Sequence, residues 1–427
     1  MLEKFIRLIN SCTTLTSNNA KKIFAIIITH GGLHDRHIRR SRHRNTLIRA
    51  STDCKHFHLA LHLYSSFFHI TTSSPPDKFT FPFVLNSCAA LHDTLIGRMV
   101  HKQTLGLGFN GDVYVAAALV DMYAKCGSIV TARKVFDGMC VRDLVSWTTM
   151  VSGYVHNGYN AETLEMARSM MEIGIKMNRV ALLSTLLASG QLGELRIGEV
   201  FYGYAICGGF VNDTLVATAV MDMFAKCGSL DSARAVFDGV EAKDVVCWSS
   251  MIACYGVFGQ GREAIGAFHR MVNEEGIRPN HVTFTSLLTA CSRSGLVDEA
   301  YKFFKLMDSP NLNHYSCMVD LLSRAGKLQE AEELVNAMPI PADAALLGSL
   351  LGACLMYGNA EIGERIADRV FQLDSSHSGY YVILSNIFAT KSRWSEVEGV
   401  RKLMVDRSIR KNQGFSLNRV ITKIIAN

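Results

Sequence analysis

Apolar residues recur along this chain at three- and four-residue spacing and are broken at short intervals by glycine-bearing turns, a pattern that predicts short amphipathic helices. In Thr214–Asp244 the stripe Leu215, Val216, Ala219, Val220 and Met223 predicts a first helix. Gly228 then supplies a left-handed stop and Ser229 an N-cap, and a second helix buries Leu230, Ala233, Val236 and Phe237. One such hairpin cannot cover its own apolar faces, so neighbours must stack on it. They are visible in the sequence. Val113–Asp143 (VYVAAALVDMYAKCGSIVTARKVFDGMCVRD) aligns without a gap on Thr214–Asp244 (TLVATAVMDMFAKCGSLDSARAVFDGVEAKD), 101 positions later. Trp147 and Trp248, Cys126 and Cys227, Asp112 and Asp213, and Asp143 and Asp244 keep the same offset.

The offset divides into units of 31, 35 and 35 residues, and the cycle extends in both directions. The expected units are 41–77, 78–112, 113–143, 144–178, 179–213, 214–244, 245–280, 281–311 and 312–343. The fold class this predicts is all-α, a right-handed α-solenoid of stacked helix-turn-helix repeats of 31–36 residues with its first helices lining an inner surface.

Composition narrows the picture. With 48% hydrophobic and 19% charged residues the chain is not a disordered one. Its most apolar stretch, Ala344–Tyr357, is too short to span a bilayer, so no membrane partner is expected. Met1–Ala20 lacks the apolar core and cleavage site of a secretory signal. Residues 1–50 carry 10 basic and 2 acidic side chains, residues 51–400 carry 27 and 35, and residues 401–427 carry 7 and 1. A polyanion would therefore meet charge attraction at the two ends, and the middle cannot hold one by charge alone. The 12 cysteines include no Cys-x-x-Cys pair and several recur at equivalent repeat positions, which predicts reduced packing thiols.

Units of the form V-x-x-W/Y-x-x-M/I…G…A…F…M…G-x-x-P-N/D resemble pentatricopeptide repeats. The alternation of lengths resembles the plant subclass built from P, L and S repeats, and DMYAKCGS and DMFAKCGS are similar to its short repeats. Read so, 41–77, 144–178 and 245–280 are P units, 78–112, 179–213 and 281–311 are L, and 113–143, 214–244 and 312–343 are S. Residues 1–40 read as a degenerate L-like repeat and basic junction, with a short repeat lost before 41. Residues 344–411 resemble the C-terminal E extension and 412–427 a shortened tail. The resemblance implies sequence-specific binding of single-stranded organellar RNA, commonly for site recognition in C-to-U editing. Some members end in a zinc deaminase (DYW) domain, which needs His-x-Glu and Pro-Cys-x-x-Cys. Neither string occurs here, so no catalytic residue, metal or cofactor is expected and the protein is not expected to be an enzyme. The implied partners are a deaminase-bearing pentatricopeptide repeat protein and multiple-organellar-editing-factor-type proteins. The E extension would contact such a partner through Tyr380, Tyr381 and Trp394. The implied address is the mitochondrion, with the chloroplast as the alternative.

In this family the fifth and last residues of a repeat read one base, and the second wedges between bases. Asp only accepts hydrogen bonds and suits G and U, whereas Asn can donate and suits A and C; at the fifth position short Ser or Thr leaves room for a purine and Asn reaches a pyrimidine. Carried over, Asn45 with Asp77 implies U, Thr148 with Asn178 A, Thr218 with Asp244 G, Ser249 with Asn280 A, and Ser316 with Asp343 G. Ala117 with Asp143 discriminates poorly, and the L units, with Pro82, Leu183 and Thr285 at the fifth position, receive no base. The wedges are Phe79, Tyr114, Val145, Val180, Leu215, Val246 and Val282. The element so read is U, two unassigned, A, one unassigned, G, A, one unassigned, G.

Other readings stay open on the residues alone. Asp143 and Asp244 can serve merely as helix caps. Trp147 and Trp248 fit interhelix packing better than base stacking. Arg36–Arg44 reads as a phosphate patch, a degenerate helix or the scar of a deletion, and the N-terminus as a presequence or a repeat helix. A peptide-binding scaffold, other organellar RNA processing or stabilisation, and a truncated inactive product are the rival functions.

Overall fold

Helix-forming stripes run through the whole described chain, and most of the first helices of the repeats follow a capping Asp or Asn. The structure is a computed structural model that describes residues 41–69 and 75–409, and among these it contains 22 α-helices and no strand. The chain divides into two units, Met1–Gly228 and Ser229–Asn427. The first holds α1 (Ser41–Asp53), α2 (Phe57–His69), α3 (Thr80–Ala90), α4 (Thr94–Gly106), α5 (Val113–Lys125), α6 (Ile129–Asp137), α7 (Leu144–His156), α8 (Asn160–Glu172), α9 (Arg179–Leu192), α10 (Leu195–Cys207) and α11 (Thr214–Lys226). The second holds α12 (Leu230–Gly239), α13 (Val245–Val257), α14 (Gly261–His269), α15 (His281–Ser294), α16 (Val297–Lys305), α17 (Leu312–Arg324), α18 (Leu328–Ala337), α19 (Ala344–Tyr357), α20 (Ala360–Leu373), α21 (Ser378–Thr390) and α22 (Trp394–Asp406).

Each unit is an α-solenoid. In the first, α3, α5, α7, α9 and α11 pack side by side, and α4, α6, α8 and α10 each wedge between their own partner and the next first helix. In the second, α13, α15, α17, α19 and α21 form the corresponding layer. The fold class expected from the period is what the structure shows.

The repeated sequence builds repeated contacts. Trp147 is buried edge-on against Phe136 with centroids 5.0 Å apart, and Trp248 against Phe237 at 4.8 Å. A cation covers each phenylalanine, Arg142 over Phe136 and Lys243 over Phe237. Neither indole N–H has a hydrogen-bond partner, so the rings are held for their area. This is the packing role, not base stacking. Cys126 and Cys227 donate weakly to the Cys88 and Ser189 carbonyls, and 11 cysteines, all those described, are free thiols. The turn glycines Gly127 and Gly228 have φ of +75° and +83°, which an L side chain adopts only under strain. The unit 245–280 carries one residue more than its 35-residue counterparts, and the surplus coincides with a π-helical turn, Arg270–Glu274, that continues α14 and buries Met271.

Three local expectations change. Leu215 lies outside the core that Val216, Val220 and Met223 share with Ala217 and Phe224, because the stripe of α11 is rotated by one residue. Ser229 sits at the N-cap of α12 but bonds Ser232 Oγ at 2.7 Å instead of a backbone N–H. Arg44, the end of the basic run, is buried against Phe67 and Phe68 and so belongs to a hairpin, not to a surface patch. The readings placed on residues 1–40 and 412–427 lie outside the described residues.

Close first-helix packing sets one test. A Cβ on Gly153 would lie 2.8 Å from the Ala124 methyl, which cannot rotate away. Gly153→Ala therefore loses about 1 kcal/mol net, overpacking outweighing the gain in helix propensity, and a lowered midpoint in urea unfolding checks it. A second test concerns His314, fully buried at the start of α17. Its Nδ1 accepts the Asn311 N–H at 3.0 Å and its Nε2 donates to the His281 carbonyl at 2.9 Å, so protonation would break the first bond. Burial pulls its pKa below the ordinary 6.5. The unfolded chain then binds the proton more tightly, so stability is full above about pH 6.5 and falls as pH drops below that value. Thermal unfolding from pH 8 to 5 should show this fall, and His314→Gln should shallow it, with His101, also lowered by burial, accounting for part of the remainder.

Candidate nucleic-acid interface

The last residue of each unit stands at the start of the next first helix, where free backbone N–H groups need acceptors. Asp77 Oδ1 accepts from the Phe79 and Thr80 N–H groups, both at 3.0 Å. Asp143 Oδ1 accepts from Ser146 N at 2.8 Å, Asn178 Oδ1 from Ala181 N at 2.9 Å, and Asn280 Oδ1 from Thr283 N at 2.9 Å. Asp244 Oδ1 accepts from Val246 and Cys247, and Asp343 Oδ1 from Leu346. The capping role is thus real at Asp143, Asn178, Asp244, Asn280 and Asp343, whereas Asp77 closes the turn that leads into α3, whose N-cap is Phe79. Each of these residues uses one atom only. Among the described residues Oδ2 of Asp77, Asp143, Asp244 and Asp343, and Nδ2 of Asn178 and Asn280, make no hydrogen bond, and none of these residues is buried. Asp213 differs, because its Oδ2 accepts from Arg179 Nη1 at 2.9 Å, and that guanidinium holds its carboxyl below the usual range.

The apolar second residues of seven units point outward. Phe79, Tyr114, Val145, Val180, Leu215, Val246 and Val282 are all exposed, from 43% for Val246 to 75% for Tyr114, although each is apolar. The fifth residues are less uniform. Thr148 and Thr218 are half-buried with hydroxyls donating to Leu144 and Leu215 carbonyls, and Ser316 donates to Leu312. Asn45 is half-buried and bonded to Asp77. Ser249, by contrast, is sealed in the packing at 3% exposure and bonded to Val245 and Thr283, so it does not present its hydroxyl on the surface. Ala117 lies at the floor of a groove.

That groove, of about 540 Å³, runs over α3, α5 and the start of α7. Three of the residues expected as wedges, Phe79, Tyr114 and Val145, line it with the carboxylates Asp112, Asp121 and Asp143, the amide of Asn86 and a single cation, Lys78. Its shape suits flat apolar rings that carry N–H donors on their edges. It offers no pair of basic residues to clamp a peptide carboxylate. A second hollow of about 600 Å³ continues over α5, α7 and Val180 with Lys125, Thr148 and His156. Lys125 is bonded there to Asp121 at 2.9 Å.

In the second unit, Tyr381 is fully buried, stacked on Phe371 at 4.1 Å and bonded to Ser375 and Arg407. It is a core residue and not a partner contact, because α21 turns that side inward. Tyr380 is half-buried and donates to the Ala344 carbonyl, while Trp394 is 63% exposed. Among the described residues no group of three His, Cys, Asp or Glu side chains could hold a metal, and no helix is long and apolar enough to cross a membrane. Sequence reading passed over Thr80 and Thr283, the third residues of their units. The signal was a polar residue three places after the cap, as in a capping box, but with Thr where Glu or Gln is usual.

Family models for the pentatricopeptide repeat match residues 117–144, 145–175, 282–311 and 314–339, a related repeat model matches 243–293, and the E motif matches 357–418. The pentatricopeptide repeat-containing protein At4g14170 of Arabidopsis thaliana is 39% identical over 80% of this chain and 72% of its own length. The protein CRR2, chloroplastic, of the same plant is 38% identical over 87% of this chain and 58% of its own, and At3g26782, mitochondrial, is 39% identical over 78% and 52%. This chain belongs to the pentatricopeptide repeat family and carries its E motif. It spans about half the length of several curated relatives, 49% of At3g23330 for example. Among solved structures, PPR10 in complex with an 18-nucleotide psaJ RNA element superposes with a TM-score of 0.65 at 16% identity, over 87% of this chain and 56% of that one.

The cap can be separated from any reading role. Asp143→Ala should lower stability by about 1 kcal/mol, whereas Asp143→Asn, whose Oδ1 accepts the same bonds, should cost little; denaturant unfolding of both variants checks it.

Proposed function

We propose that this protein binds single-stranded RNA by sequence and serves as a site-recognition factor in C-to-U editing in plant organelles, with a deaminase supplied by another chain. The observation that carries the reading is the exposed apolar residue at the second position of seven units, six of them beside an Asp or Asn that holds backbone N–H groups with one atom and leaves another uncommitted, Asp213 beside Leu215 being the exception. An exposed apolar side chain gains from covering a base face, and the free Oδ2 or Nδ2 meets the Watson–Crick edge. The RNA-bound structure of PPR10 supports the same class of ligand.

Asn45 and Asp77 read U, Thr148 and Asn178 read A, Thr218 and Asp244 read G, and Ser316 and Asp343 read G. Asn280 reads A through its amide, with Ser249 covered. Ala117 leaves Asp143 to discriminate weakly. Four or five readable positions at about 1–3 kcal/mol each give selectivity without high affinity, so the basic terminal segments and partner proteins contribute to holding the RNA. Relatives named mitochondrial and chloroplastic support an organellar address, which we place in the mitochondrion. The E-motif region would engage the deaminase-bearing partner and multiple-organellar-editing-factor-type proteins, with Trp394 an exposed aromatic available there.

Gel-shift titration of the chain with an RNA carrying the element U, two free, A, one free, G, A, one free, G tests the reading. Asn178→Asp exchanges a donor for an acceptor and should move the preference at the fourth base from A to G by about tenfold or more. A variant that binds as well as the parent and keeps its preference for A would reject the base-reading positions.

A further inference from the structure

Two units share a contact that links their reading positions to a third residue. Thr80 Oγ1 accepts the backbone N–H of Asp77 at 3.1 Å, and its own proton faces Asn45 Oδ1 at 2.7 Å, nearer than Asp77 Oδ1 at 3.0 Å. Asn45 Nδ2 donates to Asp77 Oδ1 at 2.8 Å. In the second unit Thr283 Oγ1 accepts the Asn280 N–H at 3.2 Å and lies 2.7 Å from Ser249 Oγ. Ser249 has one proton, and the Val245 carbonyl takes it at 2.6 Å, so the Thr283 proton faces Ser249 Oγ, nearer than Asn280 Oδ1 at 3.1 Å. In both places the hydroxyl of the following unit's third residue accepts from the last residue and donates to the fifth. Ser146 supplies the contrast. Its fifth-position partner, Ala117, offers no acceptor, and the Ser146 hydroxyl turns to Asp143 Oδ1 at 2.6 Å.

We infer that Thr80 and Thr283 are positioning residues that fix what the fifth residue can offer a base, so that at 41–77 a third side chain orients the reading pair and at 245–280 it withdraws the fifth residue from the base. This rests on the base-reading assignment above. At 41–77 the clamp holds the Asn45 amide with its second Nδ2 hydrogen free beside the free Oδ2 of Asp77. A donor next to an acceptor matches the carbonyl and N3–H of uracil and is the reverse of what cytosine needs. Turning the amide over would set Asn45 Oδ1 against the Asp77 carboxylate, and Thr80 holds it from the other end. At 245–280 the same relay has the opposite effect. The Ser249 proton goes to the backbone and its oxygen accepts from Thr283, so the buried hydroxyl offers a base nothing but room. Asn280 Nδ2 alone makes the distinction there.

The test uses the full chain and single-stranded RNAs that differ only at the U or the corresponding A of the element. Thr80→Val, close in volume, should lower the ratio of binding to U over C by about three- to tenfold, the worth of one hydrogen bond, with affinity for the C-bearing RNA little changed. Thr80→Ser should restore the ratio. Asp77→Asn is the control on the reading itself and should move the preference from U towards C. If Asp77→Asn moves the preference and Thr80→Val does not, or Thr80→Val weakens all four bases alike, the positioning role is wrong while the reading survives. If neither moves it, the base-reading assignment fails and the inference falls with it. Ser249→Ala gives an independent arm that does not touch Thr80. Its preference for A should equal the parent's within about twofold, less than the loss of one hydrogen bond, and a larger drop would show that the serine hydroxyl does meet the base.

Discussion

The junction between successive hairpins depends on one side-chain oxygen. A first helix can begin only if its leading N–H groups find acceptors, and at Asp112, Asp143, Asn178, Asp244, Asn280, Asn311 and Asp343 that acceptor is the Oδ1 of the residue just before it. Because the cap engages one atom of a two-headed side chain, the other head is held at a fixed place and angle on the same edge of the layer. Helix initiation and presentation of a hydrogen-bonding group are therefore one act. Stability alone would select either Asp or Asn at such a site, since both cap equally well. What distinguishes them is the head left over, an acceptor in one and a donor in the other.

The next residue but one follows from the same geometry. Once the cap fixes where the helix begins, the second residue of the unit lies on the side away from the neighbouring hairpin and the third points into the seam. Hence Tyr114, Val145 and Val180 are exposed while Val115, Ser146 and Ala181 are buried. A row of exposed apolar side chains carries a solvation cost unless something covers it, and flat rings between consecutive members would do so. The groove bordered by Phe79, Tyr114 and Val145 has room for that and carries three carboxylates in its lining.

Small side chains in the helix layer hold the spacing. Gly153 against Ala124 and Gly256 against Ala290 allow backbones to approach, and Gly97 and Gly198 accept the Met122 and Met223 side chains from the next hairpin. Larger rings sit in the second-helix seam, where Phe136 and Phe237 meet the two tryptophans. A stack built in this way transmits no long-range demand: each hairpin needs only its neighbours, which is why one repeat can carry Ala117 where others carry a polar fifth residue and still pack.

Period and cap are legible in the amino-acid order itself, because both are local. The 101-residue echo, the Gly228 turn and the Asp or Asn before each first helix follow from helix geometry and backbone hydrogen bonding within a few residues, and the buried face of α12 follows from spacing alone. Tertiary structure decided what spacing cannot. Leu215 faces out although its neighbours in the stripe face in, Tyr381 is core where the sequence suggested a surface, and Ser249 is closed off by Thr283, 34 positions away. Each of those outcomes depends on the rotation of a helix by part of a turn against the next hairpin, and that rotation is set by side chains from a different unit. A repeat written in sequence fixes which residues alternate; only the packing of one repeat on another fixes which of them a ligand can touch.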